Sequence, residues 1–264
     1  MVSALGSQGR VLYDRHVLYV DFPRFGLPQP SYINMVRDPL AMQLSAYYFW
    51  RECFCVARQP FCVSALSQMQ GDGDHQIRSM RHICSMGIDD VYAQVDPQPT
   101  VGLMTRWFCG QDPVCKAPDP QPHTQRHLAL ERAVHHIRMM YVWVGVLERL
   151  EESLRLLSWV LPSFFGGMAT SQAAREHARP NASVYSYAPP SRATLHKIAI
   201  ENENDLKLYA FANRLLDCRL SRCGKERMRW SAHVHNGEHG AQEPHAGPHF
   251  FANANIAAKR MLDG

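Results

Sequence analysis

The stretch 31–45 constrains the fold more than any other part of this chain. The run Tyr32–Val36 is short and largely apolar, which is typical of a buried parallel strand. Asp38 is a favourable helix N-cap, and Pro39 fits the first helical position. The pattern therefore predicts a strand that passes into a helix within two residues, as in an α/β fold, with Arg37 at the carboxyl end of the strand.

This placement gives Arg37 a candidate function, because open parallel sheets bind ligands at the carboxyl ends of their strands. The guanidinium group offers five donors in a rigid fork that suits a phosphate. Ser45 follows about two helical turns later, where its hydroxyl could reach the same anion. Alternatively, Arg37 pairs with Asp38 or caps a helix end, and the spacing alone does not separate these interpretations.

Further periodic segments predict the remaining elements. The expected strands are Val17–Phe22 and Tyr141–Val146; the expected helices are Pro39–Arg51, Thr124–Arg138, Glu148–Val160 (ended by Pro162) and a helical stretch over 193–220. Residues 52–123 are expected to be irregular, residues 166–192 to form a surface loop, and residues 224–248 to form a flexible polar tail.

Composition narrows the class of protein. The 264 residues suffice for one α/β domain with a substantial core. The net charge of +4 is compatible with a polyanionic partner but too small to predict nucleic acid, and 14 histidines make the charge sensitive to pH. The sequence contains no apolar segment long enough to span a membrane, and Met1–Ala4 shows no signal-peptide pattern.

Several motifs, in one order along the chain, resemble a known family. The segment 33–39 followed by Ser45 resembles the 3′-phosphate motif of sulfotransferases that use 3′-phosphoadenosine 5′-phosphosulfate. More narrowly, it is similar to the glycosaminoglycan uronyl 2-O-sulfotransferases, which include the uronyl, heparan sulfate and Pipe-like enzymes. The supporting motifs are 16–26, 107–115 (Trp-Phe-Cys-Gly-Gln-Asp-Pro-Val-Cys), 130–133, 144–148, 161–165 and 248–251 (Pro-His-Phe-Phe).

The resemblance implies a P-loop-NTPase-like sulfotransferase fold, with a central, mostly parallel sheet flanked by helices. Residues 1–223 would form the sulfotransferase domain, and 224–264 a polar His/Gly-rich segment and the end of the domain. The family's first strand–loop–helix, with its catalytic lysine, and its Golgi signal anchor are expected to precede residue 1. We therefore expect an N-terminally incomplete domain that does not hold the donor properly by itself, from a protein on the lumenal side of the Golgi membrane.

The implied reaction moves a sulfuryl group from 3′-phosphoadenosine 5′-phosphosulfate to the 2-hydroxyl of hexuronic acid in dermatan, chondroitin or heparan sulfate, without a metal. Arg37 and Ser45 would bind the 3′-phosphate of the donor. The alternative is a catalytically inactive glycosaminoglycan-binding paralogue or fragment. The only membrane contact would be through the missing anchor, no nucleic-acid partner is expected, and the oligomeric state stays open.

The resemblance also suggests roles on the acceptor side. His16 matches the second histidine of the family's His-x-His segment, so it is the candidate general base, and Asp14 stands where the first histidine would be. A single histidine before a strand is more often structural. Arg78 and Arg81 resemble basic positions of the acceptor loop, although isolated arginines are more often solvated surface charges.

Cysteines and a sequon fit a lumenal setting. The resemblance implies a disulfide between Cys109 and Cys115, and Cys84 matches the first cysteine of another bridge but has no partner at the usual short distance downstream. Asn181 begins an Asn-Ala-Ser glycosylation sequon. The histidines of the 233–245 segment could bind a metal, but a flexible tail is the preferred interpretation, and we predict no metal site.

Overall fold

The computed structural model describes residues 17–56, 84, 86–94, 101–116, 123–166 and 189–221. The two strands of this part of the chain are β1 (Tyr32–Val36) and β2 (Tyr141–Val146). Its α-helices are α1 (Pro39–Arg51), α2 (Ile88–Gln94), α3 (Leu103–Cys109), α4 (Pro113–Lys116), α5 (His123–Met139), α6 (Leu150–Val160), α7 (Pro162–Phe165), α8 (Arg192–Glu201) and α9 (Glu203–Leu220).

The two strands form a small parallel sheet, as the sequence predicts. Ile33 pairs with Trp143 and Val36 with Val146, with an irregularity in register next to Ile33. All of β2 is buried except Val142, which fits its continuous apolar run. The parallel sheet among helices is compatible with the predicted α/β class, and the finer P-loop-like topology stays a prediction.

The main hydrophobic core lies between the sheet and helices α3, α5, α6 and α9. Its largest fully buried side chains include Phe108 from α3, Ile137 from α5, Leu156 from α6 and Leu208 from α9. Each of these helices contributes further buried residues to this core, such as Ala133 and Ile137 of α5, so each helix turns one apolar face inward. The core therefore includes most of β2 and, through Val36 and Val146, the carboxyl ends of both strands.

A second, smaller core joins α1 to α2 and α8. Tyr47, Tyr92 and Ile198 are buried there. A buried polar chain runs beside it, in which the Gln43 amide donates to Asn202 Oδ1 at 3.1 Å and the Tyr92 hydroxyl donates to Gln43 Oε1 at 3.3 Å. Because buried polar groups are costly without partners, this chain fixes α1 against the junction of α8 and α9.

Helix α3 begins under a carboxylate from a distant part of the chain. Asp205 accepts hydrogen bonds from the backbone N–H groups of Met104 at 3.0 Å and Thr105 at 2.7 Å. The Thr105 hydroxyl donates to the same carboxylate at 2.6 Å. Buried Asp205 thus satisfies amide groups that the helix leaves unpaired at its N-terminus, where the helix dipole favours negative charge.

One predicted strand is wrong. Val17–Phe22 has no strand partner among the described residues; the Tyr19 N–H instead donates to the Trp107 carbonyl of α3 at 2.8 Å. The Tyr19 ring stacks on His136 of α5 with centroids 4.0 Å apart. The segment therefore lies against helices, and the rings of Tyr19 and Phe22 contact other rings instead of pairing in the sheet.

Other differences concern helix boundaries. The supposedly irregular stretch 52–123 contains α2, α3 and α4, and the predicted stretch 193–220 is divided into α8 and α9 at Asn202. The predicted Glu148–Val160 helix starts as a 3₁₀ turn, and Pro162 opens the short helix α7. The predictions for 224–248 and for most of 166–192 lie outside the described residues.

Candidate anion-binding site at the carboxyl edge of the sheet

The carboxyl ends of β1 and β2 meet at one edge, because the strands are parallel and Val36 lies opposite Val146. Arg37 and Asp38 follow β1 directly, and Glu148 and Arg149 follow β2 after one residue. This edge therefore gathers two cationic and two acidic side chains, as expected at the ligand-binding edge of an open parallel sheet.

Local sequence determines the position of Arg37. Val36, on one side, is only 1% exposed and anchored in the sheet. Asp38, on the other side, caps α1, since its Oδ1 accepts a hydrogen bond from the Ala41 N–H at 2.8 Å. The strand and helix end and begin at the predicted residues, so Arg37 occupies the predicted place at the strand end.

The two arginines of this edge differ in their partners. Arg149 Nε donates to Glu152 at 2.7 Å, and its Nη1 lies 2.6 Å from Asp217. These carboxylates balance its charge. Arg37 is partly buried and makes no side-chain hydrogen bond or ion pair within the described part of the chain. Its guanidinium donors are therefore available to an anion.

Ser45 is partly buried on α1, and its hydroxyl likewise has no hydrogen-bond partner among the residues that the structure describes. On either side of it along the sequence, Met42 packs against the main core and Tyr47 against the second core. The helix that carries Ser45 is thus fixed on two sides. The role of Arg37 and Ser45 as one phosphate site stays a prediction.

Glu148 is the member of this edge that the sequence motif contained without a role. Its Oε1 accepts a hydrogen bond from the Asp38 N–H at 2.9 Å, and its Oε2 accepts one from the Tyr209 hydroxyl at 3.0 Å. Burial raises the pKa of Tyr209 to about 12, and the charge of Glu148 contributes to the rise. Tyr209 is therefore protonated at neutral pH and can act only as the donor in this pair.

The predicted disulfide is present, since Cys109 and Cys115 are bridged with their Cα atoms 5.5 Å apart. A second bridge joins Cys84 to Cys55, also at 5.5 Å between Cα atoms. The partner of Cys84 thus lies upstream in the sequence, whereas the resemblance implies a partner a short distance downstream. Cys53 is disulfide-bonded as well.

A partly buried histidine lies beside the Cys109–Cys115 loop. His136 Nδ1 is 2.8 Å from the Phe108 carbonyl oxygen, and the ring stacks on Tyr19. Burial lowers the pKa of His136, and the Phe108 carbonyl only partly offsets this effect. The imidazole is therefore neutral at neutral pH and, as the Nδ1–H tautomer, donates to that carbonyl, which joins α5 to α3.

The other predicted site residues lie outside the described residues: His16, Asp14, Arg78, Arg81 and Asn181. Within the described ranges, no helix is long and apolar enough to cross a membrane. No group of three or more histidine, cysteine or acidic side chains that could hold a metal occurs in the same ranges.

Comparison with known proteins shows which class of protein this chain is similar to. No family model matches the chain. Curated relatives, however, are sulfotransferases. The Uronyl 2-sulfotransferase of Mus musculus is 33% identical over 174 residues, which cover 64% of this chain and 38% of the relative. The Homo sapiens Uronyl 2-sulfotransferase is equally similar, at 33% over 174 residues.

Heparan sulfate enzymes match as well. Heparan sulfate 2-O-sulfotransferase 1 of Gallus gallus is 32% identical over 156 residues, covering 59% of this chain and 38% of that protein. Heparan sulfate 2-O-sulfotransferase hst-2 of Caenorhabditis elegans is 27% identical over 218 residues, covering 78% and 58%. The chain is thus homologous to the uronyl and heparan sulfate 2-O-sulfotransferases, which confirms the resemblance seen in the motifs, and its aligned part spans less than two thirds of these relatives.

Proposed function

We propose that this chain forms part of a sulfotransferase that moves a sulfuryl group from 3′-phosphoadenosine 5′-phosphosulfate to the 2-hydroxyl of hexuronic acid in a glycosaminoglycan. The observation that carries the proposal is the guanidinium of Arg37, which lies at the carboxyl end of β1 without a carboxylate partner among the described residues. The names of the relatives supply the reaction and the polymer class.

On the donor side, Arg37 and Ser45 hold the 3′-phosphate. A guanidinium fork binds two phosphate oxygens at once, and a hydroxyl can donate to a third. The Asp38 cap and Val36 keep the strand–helix junction rigid, so little freedom is lost when the nucleotide binds. The proposed grip uses no metal, because the arginine fork and the serine hydroxyl supply the donors to the phosphate.

On the acceptor side, His16 removes the proton of the 2-hydroxyl, with Asp14 as its supporting carboxylate, and Arg78 and Arg81 bind sulfate or carboxylate groups of the polysaccharide. Sulfuryl transfer needs such a base together with cations that hold the leaving nucleotide. The two described disulfides favour an oxidising compartment, in agreement with a place in the Golgi lumen.

Nucleotide binding tests the donor side. In the protein carrying any sequence that precedes residue 1, Arg37→Ala should weaken binding of adenosine 3′,5′-bisphosphate by about 1.5–3 kcal/mol, the usual contribution of a hydrogen bond to a charged group. Isothermal titration calorimetry measures this loss. Arg155→Ala is the matched control, because exposed Arg155 lies over the Trp159 ring on α6 and does not follow the carboxyl end of either strand. Unchanged affinity in Arg37→Ala would contradict the assignment.

Transfer of radiolabelled sulfate to desulfated dermatan, chondroitin and heparan substrates tests the reaction itself. Incorporation at the 2-position of the uronic acid is the expected result. Glycan binding without transfer would instead favour a non-catalytic glycosaminoglycan-binding protein. One observation favours this second function: Asp14 stands where the family's His-x-His segment has its first histidine.

A further inference from the structure

Glu148 and Tyr209 connect β2 and α9 to the β1–α1 junction at the carboxyl edge of the sheet. Glu148 follows β2, Tyr209 lies on α9, and Asp38 links β1 to α1. We propose that Glu148 and Tyr209 form a positioning pair, which holds the peptide between Arg37 and Asp38 so that the Arg37 guanidinium meets the 3′-phosphate. This inference rests on the proposed function, because it assigns residues that act through Arg37.

The first contact acts on the backbone that orients Arg37. The Asp38 N–H, which donates to Glu148 Oε1 at 2.9 Å, belongs to the peptide that Arg37 and Asp38 share. The other side of Arg37 is fixed by buried Val36 in the sheet. The Asp38 side chain is already used on the Ala41 N–H. Without Glu148, the N–H of this peptide would lose its described side-chain acceptor, and Arg37 would be positioned only by Val36 and the Asp38 cap.

The second contact fixes Glu148 itself. Glutamate has several rotatable bonds and loses conformational entropy when it is held in one geometry. The Tyr209 hydroxyl donates to Oε2 at 3.0 Å, and the Tyr209 ring packs against the main core. Because Tyr209 is protonated over the whole physiological range, this restraint does not depend on pH near neutrality. The carboxylate is thus oriented by a tyrosine whose own position is set by packing.

The pair supports Arg37 without neutralising it through an ion pair. Both Glu148 oxygens accept hydrogen bonds from uncharged donors, and the structure shows no ion pair between Glu148 and Arg37. Arg149 shows the opposite arrangement, because Glu152 and Asp217 pair with its guanidinium directly. A carboxylate paired with Arg37 in that way would compete with a phosphate for the same donors.

A double-mutant cycle separates positioning from general stability. We expect Tyr209→Phe and Glu148→Gln each to weaken binding of adenosine 3′,5′-bisphosphate about three- to tenfold, because the lost hydrogen bond acts on the nucleotide only through the position of Arg37. Binding of adenosine 5′-monophosphate, which lacks the 3′-phosphate, should change less than about twofold. In the Arg37→Ala background, either substitution should add less than about a further twofold loss.

Glu203→Gln is the matched control, because exposed Glu203 pairs with Lys207 on the first turn of α9, and it should leave both affinities unchanged. Thermal unfolding checks that Tyr209→Phe, which keeps the ring, stays folded. If Arg37→Ala itself has no effect, both the proposed function and this inference fail. If Arg37→Ala weakens binding but Tyr209→Phe and Glu148→Gln do not, only the inference is overturned. The inference is also overturned if these two substitutions weaken binding as much in the Arg37→Ala background as in the wild-type protein.

Discussion

Two arginines at one edge of the sheet differ in their surroundings. Arg149 lies between Glu152 and Asp217, and the hydrogen bonds that it donates to Glu152 lower the pKa of that carboxyl. The Arg149 donors are therefore already used within the protein and are not available to a ligand. Arg37 has no such partner in the described ranges, although it is partly buried. A partly buried cation without a counter-ion is costly, and a bound phosphate would remove that cost.

Position 110 requires glycine because of its backbone conformation and the close approach of Tyr19. Its φ of +102° is unfavourable for other residues, and an added Cβ would lie 2.8 Å from the Tyr19 carbonyl oxygen. We expect Gly110→Ala to destabilise the protein by about 1–3 kcal/mol, measured by chemical denaturation. Gly87→Ala is the control, because its nearest contact would be an ordinary 3.5 Å to Asp90. Equal stability of the two variants would contradict this account.

His136 gives the folded protein a defined pH dependence. Since burial holds its pKa below the ordinary 6.5, the unfolded chain binds a proton more readily than the folded one. The stabilisation is therefore complete above about pH 6.5 and is lost as the pH falls below that value toward the folded-state pKa. His136→Asn keeps an amide donor for the Phe108 carbonyl but does not titrate.

The measurement is the melting temperature of both proteins between about pH 7.5 and pH 5.5. We expect the wild-type value to fall more than that of His136→Asn over this interval. The other histidines are the same in both proteins, so they cancel in the comparison. An identical decrease in the two proteins would show that His136 does not contribute to the pH dependence.

At the scale of elements, the sequence predicts those strands and helices whose ends are marked by local sequence signals. The bounds of β1 and α1 follow from the apolar run and the Asp38–Pro39 start signal, and β2 follows from its apolar run. Helix α3 has no side-chain cap of its own; its N-terminal amides are satisfied by Asp205, about a hundred positions away. Val17–Phe22 has strand-like composition but packs on helices, which only tertiary contacts decide.

The Asp38 cap is the element-level feature that places Arg37, and its contribution can be measured. Asp38→Ala removes the acceptor for the Ala41 N–H, so we expect a loss of about 0.5–2 kcal/mol in the free energy of unfolding. Asp38→Asn keeps a side-chain oxygen in the same place and should stay close to wild type. Denaturant titrations compare the three proteins, and equal losses in both variants would contradict the capping role.

At the scale of the whole molecule, the candidate site depends on long-range contacts that the sequence does not reveal. Arg37 and Ser45 could be predicted because they share one strand–helix unit. Glu148 was recognisable only as part of a motif, and its partners Asp38 and Tyr209 are separated from it by 110 and 61 positions. The Cys55–Cys84 bridge was missed for the same reason, since its partner lies upstream and 29 positions away.

Catalysis requires that the base and the sulfuryl donor flank one acceptor oxygen. In the proposed reaction His16 takes the proton of the uronic acid hydroxyl while Arg37 holds the nucleotide, so both are needed for transfer but only Arg37 for nucleotide binding. In a protein that shows transfer, His16→Ala should lower kcat by about 10²–10⁴-fold, the usual contribution of a general base, and leave adenosine 3′,5′-bisphosphate affinity unchanged. Radiolabelled sulfate transfer and calorimetry measure the two quantities.

Exposed His196 on α8 supplies the control His196→Ala, which should match wild type in both. If His16→Ala keeps its full rate, another group is the base, and His16 is structural.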